Sequence, residues 1–338
     1  MKAYDALCDA GGARLYCVGA LDVELEFTVT PDSEGARLDL AFVASLEGIS
    51  RSRAQAWIRA GRVSVDGEVR DRPGLHLRAG QAVTLRAQEA SEQTEARELP
   101  PLELLYEDAD ILVVSKPAGL LTHANRDGER SVSGDLEESH GPLPEGDVPL
   151  RRGIVHRLDR DTSGVLVVAR SSTALASLQG AFRERRVQKT YEGVVAGAPR
   201  FDSDWIDASL GRSVKHPDRQ SVVSKEEGRE ALTYWEVIER FDGYAHVRLQ
   251  PKTGRTHQLR VHLSSIDLAI VGDSLYRSKG GRPARLPADA PNMERHALHA
   301  QALCLPHPTS GEEVSFSAQR PTDMEAALAW LRSERAGA

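Results

Sequence analysis

The sequence predicts an α+β fold: a mixed, mainly antiparallel sheet domain preceded by a small helix–helix–hairpin unit. Three observations carry that prediction. Strand-like apolar runs at 111–114, 164–169, 190–196, 233–238 and 246–249 have few helical segments between them and no regular strand–helix alternation. The stretch before them has a different pattern, two helical faces followed by an Asp-Gly turn. An acidic segment without apolar periodicity separates the two. At 338 residues the chain has length for about two domains. A hydrophobic content of 40% supplies a sizeable core.

Residues 1–26 carry no periodic pattern and read as an N-terminal extension. Residues 27–88 form the small unit. Leu38, Leu40, Ala41, Val43, Ala44 and Leu46 give one helix its apolar face. Ser50-Arg51-Ser52-Arg53 opens a second helix, with Ser50 or Ser52 able to cap it and Ala54 one turn from Trp57 and Ile58. Gly61 ends that helix in the left-handed C-terminal role. Val63-Ser64-Val65 then runs into the Asp66-Gly67 hairpin turn, and Val83, Leu85 and Ala87 alternate as a closing strand. Residues 89–100 are the acidic linker, and 101–335 form the larger domain. It opens with Leu104-Leu105-Tyr106, turns at 107–110, and continues through Ile111-Leu112-Val113-Val114 to a stop at Lys116-Pro117-Ala118-Gly119. Residues 127–149 read as a loop with a short helix at 132–136. Leu175, Leu178 and Phe182 mark a helix capped near Ser172. A helix over 256–266 buries Leu259, Leu263 and Ile266 and carries Arg260 with Thr256 and His257 on another face.

Composition removes several function classes. No stretch approaches the ~20 apolar residues of a membrane-spanning helix, and no membrane partner is expected. Cys8, Cys17 and Cys304 are too few and too dispersed for a disulfide framework or a zinc site. No basic segment leads into an apolar run near the N-terminus, which argues against a secretory signal and for a cytoplasmic protein. His156, His257, His262 and His299 lack partners at metal-ligand spacing, so no metal is expected. Lys252-Thr253-Gly254 lacks the context of a phosphate-binding loop. The net charge is -7, yet it is unevenly spread. Residues 35–88 hold nine arginines against five acids, whereas 89–110 hold eight acids against Arg97 alone. A basic module beside an acidic strip permits nucleic-acid binding without proving it.

The densest chemistry lies in Gly153-Ile154-Val155-His156-Arg157-Leu158-Asp159-Arg160-Asp161-Thr162-Ser163-Gly164. This is a charge-rich loop between apolar strands, a position that often carries catalysis. Two carboxylates flanking an arginine also suit a structural turn. The residues alone leave both readings open.

That loop resembles the signature of the RluA-type pseudouridine synthases, His-Arg-Leu-Asp followed by Thr-Ser-Gly. Further matches fall in the family's order. They are Tyr106-Glu107-Asp108 through Lys116-Pro117-Ala118-Gly119, then Lys189-Thr190-Tyr191-Glu192, then Thr253-Gly254-Arg255-Thr256-His257-Gln258-Leu259-Arg260-Val261-His262 with Ile270-Val271-Gly272-Asp273 and Tyr276. Ala297-Leu298-His299-Ala300 and Pro306-His307-Pro308 match the closing motif. The small unit, through Ala36-Arg37-Leu38-Asp39, Ser50 to Gln55 and Gly61 to Gly67, resembles the αL-type RNA-binding domain first recognised in a small-subunit ribosomal protein. The resemblance spans about residues 27–335 and points to the two-domain branch, similar to synthases of bacterial large-subunit ribosomal RNA.

The resemblance implies isomerisation of uridine to pseudouridine in structured RNA, without a cofactor, after the base is flipped out. Asp159 matches the catalytic carboxylate that attacks, or otherwise labilises, the bond between uracil N1 and the ribose. Arg260 matches its partner, since a nearby cation favours an ionised carboxylate. Tyr191 matches the tyrosine that stacks on the base or relays a proton. Arg157 matches the arginine that fills the vacated stack. Arg51, Arg53, Arg59 and Arg62 would meet RNA phosphates. Ser115 in place of the usual Asn, the long segment 277–294 and the N-terminal extension depart from the pattern and bear on target choice. Three rivals stand beside this reading: the same chemistry on transfer RNA, a non-catalytic RNA-binding or ribosome-assembly role, and a hydrolase using Asp159 with Asp161.

Overall fold

The computed structural model describes residues 13–17, 22–45, 51–88, 99–125, 129–146, 150–214, 216, 219–278 and 284–335. The chain divides into two compact units, 1–98 and 99–338.

The first unit is built on β1 (Ala13–Cys17), β2 (Asp22–Thr28), α1 (Leu38–Ser45), α2 (Arg51–Arg59), β3 (Val63–Val65), β4 (Glu68–Val69) and β5 (Ala82–Gln88). Its five strands run in the order β1-β2-β5-β3-β4, each antiparallel to its neighbour. Residues 1–26 are therefore not a patternless extension throughout, because β1 and most of β2 pair into this sheet. The expected hairpin forms at Asp66 and Gly67, both with positive φ (53° and 80°), as a two-residue turn with matching twist requires. Gly61 takes the left-handed φ of 69° after α2. The α1 face differs from expectation. Leu38, Ala41 and Phe42 are buried, with Phe42 edge-on to Phe27, while Leu40 and Val43 face solvent. Asp39 also turns inward, which rotates the buried stripe away from the purely apolar positions. Ser50, one of the two expected caps, the side chain of the other, Ser52, and Leu46 lie outside the described residues, as does the linker from 89 to 98.

In the second unit the elements are β6 (Glu103–Glu107), β7 (Ile111–Lys116), α3 (Val132–His140), β8 (Ser163–Ala169), α4 (Ser172–Arg183), β9 (Gln188–Ala196), β10 (Ser203–Asp207), β11 (Leu210–Arg212) and β12 (Gln220–Val222). They continue as β13 (Leu232–Phe241), β14 (Tyr244–Pro251), α5 (Gln258–Ser265), β15 (Leu298–Pro306), β16 (Glu313–Ser317) and α6 (Thr322–Glu334). One sheet runs β10-β13-β14-β9-β15-β8-β7-β6, with β16 on β15, and β11 and β12 form a separate pair. Its pairings are antiparallel except β15 with β8. The fold is thus α+β with a mixed, mainly antiparallel sheet.

Strand β8 is buried at every position, so both of its faces are apolar. Alternation sends Val165 and Val167 to one core with α4 residues Ala174, Leu175 and Leu178. Leu166 and Val168 go to the other, with Leu120, Val132, Leu136 and Leu158. A third core joins β9, β13 and β14 to α5 and α6. Helix α4 is capped near Ser172 as expected, by Ser171, which accepts from Ala174 N–H. Two details depart from the sequence reading. The helix expected at 132–136 extends to His140. Helix α5 buries Leu259 and Leu263 together with Arg260 and His262, while Ile266 lies past its end and is 38% exposed.

Candidate active site

The loop 154–162 lies between a bridge from Ile154 to Val168 and the start of β8. Leu158 anchors it in the core, and extended geometry then directs Arg157 and Asp159 outward. Polar contacts fix the backbone. Thr122 Oγ1 donates to the Leu158 carbonyl (3.0 Å) and lies 3.2 Å from its N–H. Lys116 is wholly buried, and its Nζ donates to the carbonyls of Pro117, Leu120 and Arg160 at 2.9, 2.7 and 2.8 Å. Burial pushes its pKa down to about 7, against the pull of the Asp161 charge. Thr162 pairs with His296 (2.7 Å) and Ser163 with His299 (3.0 Å). His156 stacks on Phe182 and accepts from Val167 N–H. Burial, then the Lys189 charge, pushes His156 down to about 3, so the ring is a neutral acceptor. These histidines are structural supports.

Asp159 faces Arg260, whose Nη1 donates to its carboxylate at 3.2 Å. The same guanidinium makes a two-pronged contact with Asp273, Nε at 2.7 Å and Nη2 at 2.9 Å. Asp273 is fully buried and also accepts from the backbone N–H groups of Leu275 and Tyr276. Against the cost of burial, Arg260 and those amides hold its carboxyl below the ordinary range. A rigid fork is suited to hold two carboxylates at set angles. Arg260 also lies over the Tyr276 ring, 5.0 Å from its centre.

His257 precedes α5 in a left-handed conformation, φ 55°, unusual for a residue other than glycine. Its Nε2 is 3.9 Å from Asp159, and its Nδ1 is 2.8 Å from the Tyr276 hydroxyl, which accepts from Gln220 N–H. When the phenol donates to Nδ1, His257 is the tautomer that presents Nε2–H toward Asp159. Tyr191 stands in β9 at the wall of the same cleft. Burial, then the Asp159 charge, pushes its phenol well up, so it keeps its proton at neutral pH.

The cleft measures about 630 Å³. Its wall includes Arg151, Arg157, Arg183, Arg185, Lys189, Lys252, Arg255 and Arg260, and Asp159 is the one carboxylate among its lining residues. An anionic polymer fits that charge distribution despite the acidic chain. Asp161, two residues on, is exposed and not part of the wall, so among the described residues no second carboxylate lines the cleft opposite Asp159 as a two-carboxylate hydrolase needs.

The structure brings Arg157, Asp159, Tyr191 and Arg260 to one cleft. Sequence reasoning assigned no role to Asp273 or Tyr276, though both stand in a quoted motif. It also gave no role to the basic side chains at 183 and 185, which carry no local pattern, or to Lys252 and Arg255, which stand in or beside a quoted motif. Among the arginines expected in the first unit, Arg51 donates to buried Asp39 at 2.9 Å, beside Arg37 (3.0 Å) and Gln55 (2.6 Å). That network holds Asp39 below the carboxylate range in spite of burial. Arg51 therefore ties α2 to α1 while half its side chain stays exposed. Arg59 is exposed, Arg62 is partly buried, and Arg53 lies in α2 with its side chain outside the described residues.

A cleft of this charge, on this sheet, with a carboxylate held by a buried arginine, defines a class. A family model for RNA pseudouridylate synthases matches residues 110–265, and one for the S4 domain matches residues 37–83. The ribosomal large subunit pseudouridine synthase D of Vibrio cholerae is 36% identical over 93% of this chain and 97% of its own length. The protein of the same name from Escherichia coli strain K12 is 36% identical over 92% of this chain and 95% of its own. Among solved structures, human RNA pseudouridylate synthase domain containing 4 aligns with a TM-score of 0.54 at 28% identity, covering 68% of this chain and 93% of that one. The chain belongs to the RNA pseudouridine synthase family, with an S4 domain ahead of its catalytic domain. It is an isomerase that acts on RNA.

Proposed function

We propose that this enzyme isomerises uridine in 23S ribosomal RNA of the large subunit, in the cytoplasm. The observation that supports the residue roles best is the buried Asp273–Arg260–Asp159 chain facing a cationic cleft. In this reading the base leaves its stack and enters the cleft, and Arg157 occupies the vacated place. Asp159 labilises the bond from ribose C1′ to uracil N1. The freed uracil turns within the cleft, C5 bonds to C1′, and the proton lost from C5 is balanced by one gained at N1. Arg260 serves as counter-ion to Asp159. Tyr191, neutral and in the wall, offers a face to the uracil and a hydroxyl to relay a proton. The catalytic domain occupies 101–335. The S4 domain brings the RNA through its arginines, Arg53, Arg59 and Arg62 foremost, with Arg51 divided between phosphate and Asp39. The names of the similar bacterial enzymes support the ribosomal target. Incubation with large-subunit rRNA fragments, followed by carbodiimide treatment and primer extension, tests it. Stops in rRNA are expected, and modification confined to transfer RNA would overturn the choice of target.

A further inference from the structure

Among the described residues strand β10 is one edge of the large sheet, and it presents Trp205 to solvent, the residue being 48% exposed. Trp205 is directly opposite Tyr234, and Tyr234 opposite Gln250, so the three side chains form a row across β10, β13 and β14 on one face. The two rings lie 5.1 Å apart at 53°. Gln250 lines a small groove with Arg185, Lys189 and Lys252, and these three basic residues also wall the main cleft. Lys252 closes the link, its Nζ lying 6.0 Å over the Trp205 ring. Two acids on this face have basic neighbours: Asp207 lies 3.9 Å from Lys225, and Glu236 pairs with Arg248. The row lies on the face of the sheet opposite Tyr191 and meets the cleft at Lys252. An exposed aromatic row ending at a cation of an RNA-binding cleft has the composition of a base-stacking platform.

We infer that Trp205, backed by Tyr234, stacks an unpaired nucleotide flanking the target uridine, with Lys252 holding the phosphate between cleft and platform. The inference rests on the cleft being the RNA site and adds to it a preference for substrates with an unstacked neighbour. Every base offers a π-face, so the platform contributes affinity with little sequence demand. Backbone charge at Lys252 adds a salt-dependent share.

The test uses the full-length chain and an in vitro transcript of a large-subunit rRNA fragment that the enzyme modifies. Trp205→Ala is expected to weaken RNA binding about tenfold, within the range of lost base stacking, and to leave the single-turnover rate at saturating enzyme unchanged. Trp205→Tyr restores most of the affinity. Lys252→Met weakens binding and flattens its dependence on salt concentration, whereas Trp205→Ala leaves that slope unchanged. Wild-type affinity in Trp205→Ala, with thermal unfolding also unchanged, would overturn the inference. So would a transcript trimmed of its unpaired neighbours binding as tightly as the full fragment. Asp159→Asn in parallel separates the two levels: conversion by that variant removes the active-site reading, whatever Trp205 does.

Discussion

At the scale of single residues, the site is a balance of buried charge. Arg260 is 5% exposed, and two carboxylates share it. Asp273 is wholly inside and holds the fork, while Asp159 takes the remaining nitrogen and reaches the cleft. The roles therefore separate under mutation. Asp159→Asn keeps shape and RNA affinity but lowers pseudouridine formation by roughly 10³-fold or more, the scale expected for loss of a nucleophile or acid–base group. Mass-spectrometric nucleoside analysis beside a filter-binding titration checks both halves, and substantial conversion would sink the assignment. Asp273→Asn leaves a buried guanidinium without its main partner, a change that costs about 3 kcal/mol. Urea unfolding should show that loss together with reduced activity, and an unshifted midpoint would mean that Asp159 alone satisfies Arg260. Asp159, Tyr191 and Arg260 could be singled out in the sequence because they sit in short ordered motifs, and they line one cleft. Asp273 was legible as a motif letter only, since nothing local says that a carboxylate after Gly272 is the buried end of an ion pair begun 13 residues earlier.

Secondary structure was legible to the extent that burial follows hydrophobicity. The strands expected at 111–114 and 164–169 are apolar on both faces, and they form within slightly longer elements, 111–116 and 163–169. The helices misled where polar side chains took interior places. Asp39 in α1 is buried through its partners while Leu40 and Val43 face solvent; in α5 Arg260 and His262 are buried beside Leu259 and Leu263, and Ile266 falls past the helix end. Glycine also means different things in different elements. Gly164 in β8 has φ 121°, and a Cβ there would lie 2.1 Å from the Ala300 carbonyl oxygen of β15. The Thr-Ser-Gly motif thus lets two parallel strands approach beside the Asp159 loop. Gly180 in α4 has open space around its missing Cβ and ordinary backbone geometry. Opposite outcomes are expected from the same substitution. Gly164→Ala costs about 3 kcal/mol or more through overlap and strain, whereas Gly180→Ala gains about 0.5–1 kcal/mol of helix stability. Thermal unfolding of both variants decides, and a shift of the same sign in each would refute this account of the strand crossing.

Over the whole molecule, charge and proton binding are organised by location. The chain carries -7 overall, yet its cleft is cationic, which the average conceals and no linear window reveals because the basic residues come from distant segments. Burial likewise sets where stability responds to acid. His156 and His296 are each pushed down to about 3, His156 by burial and then Lys189, His296 by burial and then Arg260. An unfolded histidine titrates near ~6.5. Below that pH the unfolded chain takes up protons that the folded chain refuses, so this stability is full above about 6.5 and is lost as pH falls toward 3. By pH 5 each ring can cost up to about 2 kcal/mol. Glu192 acts in a lower window. Against the cost of burial, His246 at 3.2 Å and Arg320 at 2.8 Å hold it down to about 2, so its contribution is complete above the ordinary glutamate range and disappears as pH falls toward 2. The enzyme should therefore weaken before its carboxylates titrate. Urea midpoints followed by tryptophan fluorescence should fall between pH 7 and pH 5, and further below 4.5 in the wild type than in Glu192→Gln. A midpoint constant from pH 7 to 5 would show that the two histidines are protonated as readily in the fold as outside it, and that the loop they support is less tightly enclosed than Thr162 and Phe182 imply.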